Sequence, residues 1–425
     1  MSLVVMKFGG TSVATPQRVK KVADRLIERR KAGDKVIAVV SAMGKSTDDF
    51  LKLANEVSLN PPAREMDVLL SAGEQISMAI LAMAVQAKGF DAISFTGSQA
   101  GIITDVAYSK AKIREIKADR LFYELDKGKI VIVAGFQGVT RSGDITTLGR
   151  GGSDTTAVAL AAATGADVCE IYTDVDGVYT ADPRMVPRAH KLDTIGYEEM
   201  LELADSGSGV LQSRSVEFAR NFGVVIHCRS AFNDKPGTIV KEVSDMESAV
   251  ITGIAYDNSE AKVTLRDVPD QPGIAAQVFS NVANIGANVD MIVQNVSENG
   301  MTDISFTTPL KDLPKVKEIL DELVNQLGAR SYLIDKSISK VSIVGAGMRT
   351  NPGIAAKMFT VLAENGINIT LISTSSIRLS VVIDGSLTER AVQCLHTAFG
   401  LDSDTVFEET QLSSEELAAK AEKGR

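Results

Sequence analysis

The chain contains few cysteines and histidines, and this scarcity excludes several kinds of site. Its 425 residues include 3 cysteines and 3 histidines and no tryptophan. Cys169, Cys228 and Cys394 are odd in number and far apart, which predicts ordinary buried thiols and neither a disulfide framework nor a cysteine zinc site. The histidines, at positions 190, 227 and 396, have no metal-ligand spacing, so we predict no metal site made by protein side chains alone.

Long apolar runs and an excess of basic residues are also missing. The longest unbroken apolar run is Met78–Val85, far short of the roughly 18 to 20 residues that cross a bilayer. The first residues have no export-signal pattern, so we expect a cytoplasmic protein that does not bind membranes. A net charge of −9 with an isoelectric point of about 5.1 argues against nucleic acid as a partner.

Short apolar runs alternate with helical periodicity from residue 3 to about 240. This is the βαβ pattern of a largely parallel, buried sheet, which places its binding loops at the carboxyl ends of strands. The predicted strands are 3–8, 36–41, 92–94, 130–134, 168–173 and 224–227. The predicted helices are 16–31, 67–86, 110–127, 153–164, 197–204 and 210–221.

The second part of the chain contains an internal repeat. When residues 272–295 are laid on residues 352–375, 10 of the 24 positions are identical. Each copy has the βαββαβ order of a ferredoxin-like unit. We therefore predict an α/β domain over 1–240, a linker over 241–249, repeat domains over 250–336 and 337–410, and a mobile tail over 411–425.

Two glycine clusters in the first domain are typical of phosphate binding. Lys7-Phe8-Gly9-Gly10 ends the first strand, where glycines let backbone amides approach an anion and Lys7 adds a positive charge. The second cluster, Thr147–Asp154, opens onto an alanine-rich helix, whose amino end favours anions. Asp154 either stabilises the start of this helix or orders Lys7 around a transferring phosphoryl group.

A third segment, residues 173–184 (TDVDGVYTADPR), is acidic and rich in turns. We interpret it as a nucleotide-binding segment through Tyr179 and Arg184. It is not an EF-hand loop, because Tyr179 and Met185 stand where that loop requires glycine and glutamate. Nor is Gly44-Lys45-Ser46 a Walker loop, because Val39 replaces its first glycine.

Five segments, in this order, closely resemble the aspartate kinase family: KFGGTSV from Lys7, SAMGKSTD from Ser41, GEQ from Gly73, TLGRGGSD from Thr147 and TDVDGVYTADPR from Thr173. The tandem repeats resemble the paired ACT domains of its regulatory half. The likeness covers about residues 3 to 410. It implies an α/β fold, in which an amino-acid-kinase αβα sandwich with a largely parallel sheet precedes two ferredoxin-like ACT domains.

The resemblance also implies an activity: transfer of the γ-phosphate of ATP, with Mg²⁺, to the β-carboxylate of L-aspartate, as the first step of lysine, threonine and methionine biosynthesis. Carried over by position, Lys7 and Asp154 would be catalytic. The substrate would be bound by Thr47, Glu74, Arg150, Gly151 and Gly152. ATP would be bound by Lys7, Gly9, Gly10, Ser41, Thr173, Asp174, Tyr179 and Arg184.

Regulation is implied as well, because ACT domains of this family bind lysine, threonine or both. The predicted effector contacts are Gln271, Gly273, Ile274, Ala275, Gln294 and Asn295 in the first copy and Asn368 and Ile369 in the second. A homodimer through the ACT domains is expected. A larger assembly, or an α2β2 form whose regulatory subunit starts near Met246, is an open alternative. The strand at 250–256 would, by the same likeness, complete the second repeat.

One departure from the family pattern lies in LADSGSGVLQ, residues 203–212, where Gly209 replaces the usual lysine. The family's lysine is associated with the nucleotide phosphates, so we expect a functional enzyme with a raised KM for ATP. The alternatives are an amino acid kinase with another acceptor and an amino acid sensor of the same fold that does not turn over.

Overall fold

The computed structural model describes residues 2–243, 251–295, 300–349, 351 and 353–402. Contacts divide the chain into two compact units. The first contains residues up to Val178, Lys191–Asp205 and Gly209–Glu247; the second contains Tyr179–His190, Ser206–Ser208 and the chain from Ser248 onward. The predicted mobile tail, Met246 and most of the predicted linker lie outside the described residues.

The first unit contains twelve strands and seven helices among its described residues. The strands are β1 (Leu3–Phe8), β2 (Lys35–Val40), β3 (Ala92–Phe95), β4 (Ile102–Thr104), β5 (Ile113–Ile116), β6 (Ile130–Ala134), β7 (Gln137–Thr140), β8 (Ile145–Thr147), β9 (Val168–Thr173), β10 (Thr194–Gly196), β11 (Ile226–Ser230) and β12 (Thr238–Lys241). The helices are α1 (Pro16–Lys31), α2 (Ser46–Val57), α3 (Ala63–Gln86), α4 (Asp119–Asp126), α5 (Gly152–Thr164), α6 (Tyr197–Asp205) and α7 (Ser213–Phe222).

Eight of these strands form one sheet in the order β10-β12-β11-β9-β1-β2-β6-β3. All neighbours are parallel except β11 and β12. The central strands are apolar on both faces because helices cover both sides, as in doubly wound sheets. The remaining strands of the unit form a small sheet in the order β5-β4-β7-β8.

The prediction of a helix over residues 110–127 is wrong for its first half and correct for its second half. Residues Ile113–Ile116 form β5, which pairs antiparallel with β4, and the helix α4 begins only at Asp119. The local pattern of two isoleucines three positions apart suits a helix, but pairing with a distant strand decides the structure. The predicted strand over residues 224–227 is also displaced, since β11 starts at Ile226.

Helix α3 is long and apolar enough, by length and composition, to cross a membrane. However, it packs against β3, β6 and α1, and its buried face includes two carboxylates, Asp67 and Glu74. We therefore interpret it as a core helix of the first unit.

The second unit contains two four-stranded antiparallel sheets. Its strands are β13 (Gly253–Asp257), β14 (Glu260–Pro269), β15 (Ile292–Gln294), β16 (Met301–Pro309), β17 (Ser331–Asp335), β18 (Ile338–Val344), β19 (Leu371–Thr374) and β20 (Arg378–Asp384). Its helices are α8 (Ile274–Asn284), α9 (Leu313–Leu327), α10 (Ile354–Glu364) and α11 (Thr388–Ala398). The sheet orders are β15-β16-β14-β17 and β13-β18-β20-β19.

The two repeats differ in the origin of one strand. The first repeat is continuous in sequence from β14 to β17 and has the full βαββαβ order. The second repeat ends with α11 among the described residues, and its fourth strand is β13, which precedes the first repeat and pairs with β18. The strand after the linker therefore belongs to the second ACT-like sheet, so that the two repeats are interleaved.

Candidate active site

Three parallel strands bring the predicted motifs to one edge of the large sheet. Phe8 at the end of β1 is in register with Val40 of β2 on one side and Tyr172 of β9 on the other. The chain after each strand therefore emerges at the same edge. These loops contain Gly9-Gly10, Ser41 and Thr173-Asp174, three of the segments predicted to bind ATP.

The two glycine clusters meet at an ion pair between Lys7 and Asp154. Nζ of Lys7 lies 2.5 Å from Oδ1 of Asp154, and both side chains are about one-tenth exposed. Asp154 is in the first turn of α5, where a negative charge is favoured by the helix dipole.

Ala42 joins the loop after β2 to the first glycine cluster and to α3. Its backbone N–H donates a 3.0 Å hydrogen bond to Oε1 of Glu74. A Cβ atom on Gly10 would lie 2.7 Å from the carbonyl oxygen of Ala42, and one on Gly73 would lie 2.7 Å from the Ala42 Cβ. Glycine is therefore required at both positions for Glu74 to approach the loops.

Glu74 is a buried carboxylate with one oxygen free to bind a ligand. The residue is 3% exposed, and Oε2 has no hydrogen-bond partner among the described residues. Burial raises the pKa of Glu74 to about 7, and the hydrogen bond from Ala42 opposes part of that shift. A buried carboxylate of this kind suits a ligand that carries a positive charge, such as an α-ammonium group.

Arg150 is at the tip of a tight turn between β8 and α5. The N–H of Gly152 donates to the carbonyl of Gly149 over 2.9 Å. Gly149 and Gly151 have φ values of 77° and 70°, which favour glycine. A Cβ on Gly151 would also lie 2.3 Å from Cγ of Gln212. The turn leaves the Arg150 side chain exposed beside the amino end of α5, where it can reach a carboxylate.

The other predicted site residues lie in three further segments of the chain. Thr47 is in the first turn of α2, half-buried. Thr173, the last residue of β9, donates from Oγ1 to Oδ1 of Asp174 over 3.2 Å. Tyr179 and Arg184 belong to the second unit, where the exposed Arg184 pairs with Asp182 at 2.7 Å. Their assignment to ATP binding stays a prediction.

Gly209 has a φ of 66° in the described structure. This left-handed conformation favours glycine and disfavours lysine. A lysine at position 209 with ordinary dihedral angles would therefore need a different backbone conformation in this loop.

Several predicted effector residues lie at the turn that begins α8 in the first repeat, and the second repeat has the equivalent turn before α10. Gly273 precedes α8 with a φ of 98°, and Gly353, its counterpart in the repeat, precedes α10 with a φ of 103°. Ile274 and Ala275 begin α8, and the side chains of Gln271, Gln294, Asn295 and Asn368 are exposed, while Ile369 is half-buried. The residues are accessible, and their effector role stays a prediction.

Sequence analysis missed two residues whose hydrogen bonds fix the backbone next to the Arg150 turn. Asp67, on α3, binds Thr147 and Ser109, and Arg214, on α7, donates to the carbonyl oxygens of Leu148 and Ala111 at 2.6 and 2.8 Å. The one available signal is spacing, because Asp67 precedes Glu74 by two helical turns and therefore shares its face. Among the described residues, no group of three or more His, Cys, Asp or Glu is placed to hold a metal ion.

A parallel sheet with these strand-end clusters, followed by two ferredoxin-like repeats, defines the class of amino acid kinases with ACT domains. Residues 2–230 match the amino acid kinase family, and residues 263–327 and 341–399 each match an ACT domain. The aspartokinase of Mycolicibacterium smegmatis is 56% identical over 410 residues, covering 95% of this chain and 97% of the relative. The chain belongs to the aspartokinase family.

Solved structures of the family agree with this assignment. E. coli aspartokinase III in complex with aspartate and ADP, in the R-state, superimposes with a TM-score of 0.79 at 25% identity. The match covers 93% of this chain and 99% of that one. The same enzyme with lysine and aspartate, in the T-state, gives a TM-score of 0.74 at 25% identity and covers 94% and 99%.

Proposed function

We propose that the protein transfers the γ-phosphoryl group of ATP to the β-carboxylate of L-aspartate, giving 4-phospho-L-aspartate and ADP. The ion pair between Lys7 and Asp154 carries this proposal, because it joins the glycine cluster after β1 to the cluster that opens α5. A phosphoryl group at this junction would meet a lysine charge, glycine amides and the positive end of a helix.

The chemistry requires positioning and charge neutralisation. A β-carboxylate oxygen attacks the γ-phosphorus, the bond from that phosphorus to the β–γ bridging oxygen breaks, and ADP leaves with the negative charge. No proton has to move and no enzyme nucleophile is required. Lys7 and the amides of Gly9 and Gly10 would stabilise charge on the transferring group, while Asp154 orients Lys7.

Two groups of opposite charge would hold the amino acid end of aspartate. Glu74 offers its unpartnered buried oxygen to the α-ammonium, and Arg150 offers its guanidinium to the α-carboxylate. Gly151 and Gly152 would bring backbone amides to the substrate, and Thr47 would help to place it. The E. coli relative solved with aspartate and ADP supports this substrate pair.

ATP with Mg²⁺ is the proposed phosphoryl donor. Ser41, Thr173 and Asp174 lie at the ends of the strands on either side of β1, which carries Lys7, so they suit a nucleotide bound at this edge. Among the described residues no cluster offers three metal ligands, so the ATP phosphates and water would supply most of the magnesium ligands. When bound, Mg²⁺ neutralises charge on the phosphates.

Feedback regulation through the ACT domains is the second part of the proposal. The effector would be lysine, threonine or both, bound near the glycines that precede α8 and α10. The E. coli relative solved with lysine in a T-state supports lysine as an effector. This regulation suits the first step of lysine, threonine and methionine biosynthesis in the cytoplasm.

We also propose a homodimer through the ACT domains. Ile292 on β15 and Ile372 on β19 occupy equivalent edge strands of the two repeats and are about half exposed, at 53% and 46%. Exposed apolar edge strands favour pairing with a second copy. Light scattering of the purified protein would test the dimer, and a monomeric mass would contradict it.

ADP release measured with Mg²⁺·ATP and a series of acceptors tests the reaction. Aspartate-dependent turnover is expected. Turnover only with glutamate or carbamate would indicate another amino acid kinase, and binding of amino acids without turnover would indicate a sensor. Titrating lysine, threonine and both together into the same assay identifies the effector.

A further inference from the structure

Asp67 is a fully buried carboxylate on α3 with an unusual number of hydrogen bonds. It is 0% exposed. Its oxygens accept from the backbone N–H of Ser109 at 3.0 and 2.9 Å and from the Ser109 hydroxyl at 3.4 Å. They also accept from the N–H of Thr147 at 2.8 Å and from the Thr147 hydroxyl at 2.7 Å.

Both partners of Asp67 are next to the Arg150 turn. Thr147 is the last residue of β8, three positions before Arg150. The carbonyl oxygen of Ser109 would lie 3.0 Å from a Cβ on Gly149, so the Ser109 backbone packs directly against the turn. The N–H of Ala111 donates to the carbonyl of Thr147 over 2.9 Å, which ties the two segments together.

Ser109 is held in a conformation that serine rarely adopts. Its φ is 66°, in the left-handed region. A strained backbone conformation persists only where surrounding contacts hold it in place. Here three hydrogen bonds to Asp67 hold Ser109. Without the carboxylate, Ser109 would be free to return to an ordinary conformation and the support beneath Gly149 would move.

We propose that Asp67 is a positioning residue for the reaction: it fixes Thr147 and Ser109 and thereby sets the position of Arg150 relative to Glu74. The inference rests on the proposed function. Asp67 and Glu74 lie two turns apart on one face of α3, at a rise of about 10 Å. One rigid helix would therefore set the sites for both the α-carboxylate and the α-ammonium of the substrate.

The variant Asp67→Asn tests the proposal. The amide has one acceptor oxygen and places an NH2 group against backbone donors, so part of the network is lost. We expect the KM for aspartate to rise at least about tenfold while the KM for ATP stays within twofold, because a small displacement of a substrate-positioning group is costly. Equal changes in both KM values would overturn the proposal and indicate a general structural role.

A rescue experiment separates positioning from simple stability. Glycine adopts a φ of 66° without strain, so Ser109→Gly added to Asp67→Asn should recover the KM for aspartate by about fivefold. No recovery in the double variant would contradict the role assigned to Ser109. Glu124→Gln on α4, which removes a buried carboxylate that pairs with Lys127 and Lys129, is the matched control and should leave both KM values unchanged.

Two further measurements keep the test independent of folding and of the substrate assignment. If Asp67→Asn does not fold, Thr147→Val removes one hydroxyl donor with little change in shape and should raise the KM for aspartate about threefold. An unchanged KM in that variant would overturn the proposal. Hydrogen exchange of the Thr147 and Ala111 amides should accelerate in Asp67→Asn, and unchanged exchange would refute the anchoring even if the natural acceptor is not aspartate.

Discussion

The backbone N–H of Ala42 donates a hydrogen bond to Oε1 of Glu74 and leaves Oε2 of the same buried carboxylate without a partner among the described residues. The loop after β2 thus fixes one oxygen and directs the other to a ligand. The same contact opposes, and does not cancel, the effect of burial, so the pKa of Glu74 is raised to about 7.

The first prediction concerns the pH dependence of aspartate use. Only the ionised form of Glu74 attracts an α-ammonium group, so kcat/KM for aspartate should rise with pH through an apparent pKa of about 7 and level off above it. Steady-state kinetics between pH 5.5 and 8.5 measure this profile. In Glu74→Gln this rise should disappear and the KM for aspartate should increase. A wild-type profile that is flat across this range would contradict the role of Glu74.

The second prediction concerns the ion pair between the two glycine clusters. Lys7→Ala removes a charge aimed at the transferring group, and kcat should fall by about 10² to 10³. Asp154→Asn should lower kcat less, by about tenfold, because Lys7 remains but is no longer oriented. ADP release at saturating substrates measures both. Lys35→Ala, which removes a surface pair with Asp126, is the control. Near-normal kcat in Lys7→Ala would remove Lys7 from the mechanism.

The third prediction concerns Gly209, where the family usually has lysine. Because its φ is 66°, Gly209→Lys should lower the free energy of unfolding by roughly 1 kcal/mol. If the loop faces the nucleotide phosphates, the same change should lower the KM for ATP. Gly223→Lys, at a helix end with the same φ of 66° and open space around it, isolates the backbone cost. Equal KM values for ATP in wild type and Gly209→Lys would show that this loop does not contact ATP.

Sequence periodicity predicted the central elements well and the small sheet poorly. The predicted bounds of α1 agree with the structure because local signals define them: Thr15 caps its first turn, Pro16 begins it and basic residues end it. Strands β6 and β9 were found because a buried parallel strand is apolar throughout. By contrast, β5 contains two charged residues and is a strand only because β4 pairs with it, which no local pattern reveals.

The site shows the same division between local and distant signals. Lys7, Glu74, Arg150 and Asp154 stand within motifs that the sequence shows. Only Lys7 is on a strand of the parallel sheet, whereas Glu74 is on α3 and Arg150 and Asp154 lie at the start of α5, so their mutual placement depends on distant packing. Asp67 was missed because its partners, Ser109 and Thr147, are 42 and 80 residues away in sequence. The sequence shows an aspartate in an apolar helical stretch, but it does not show which residues donate hydrogen bonds to that aspartate.

The last prediction concerns His396, a fully buried histidine on α11. One ring nitrogen is 2.8 Å from the Thr180 hydroxyl and the other is 2.8 Å from Asp402. Thr180 also accepts, at its backbone carbonyl, a 2.7 Å hydrogen bond from the N–H of Ile254 in β13. His396 therefore anchors the segment that begins with Tyr179 to the second ACT-like sheet.

Burial lowers the pKa of His396 below its ordinary value of 6.5, although the hydrogen bond and charge of Asp402 raise it and the nearby His190 lowers it further. The folded protein therefore favours the neutral ring. The neutral His396 ring contributes its full share to the free energy of unfolding above pH 6.5. This contribution is lost as the pH falls from 6.5 through the lowered pKa, because the ring takes up a proton more readily when the segment is unfolded. Burial raises the pKa of Asp402, but hydrogen bonds from His396 and Thr397, with a smaller contribution from the charge of Arg188, lower it below its ordinary value.

We expect the segment from Tyr179 to His190 to open more often as the pH falls from 7 to 5. Hydrogen exchange of the Thr180 and Ile254 amides, corrected for the intrinsic pH dependence of exchange, measures this opening. In His396→Gln the opening should be larger at pH 7 and should depend less on pH than in the wild type, since glutamine does not titrate. Cys394→Ser, on the same helix and only half-buried, is the control and should keep the wild-type dependence. An opening free energy that is constant between pH 7 and 5 in the wild type would show that His396 does not control this segment.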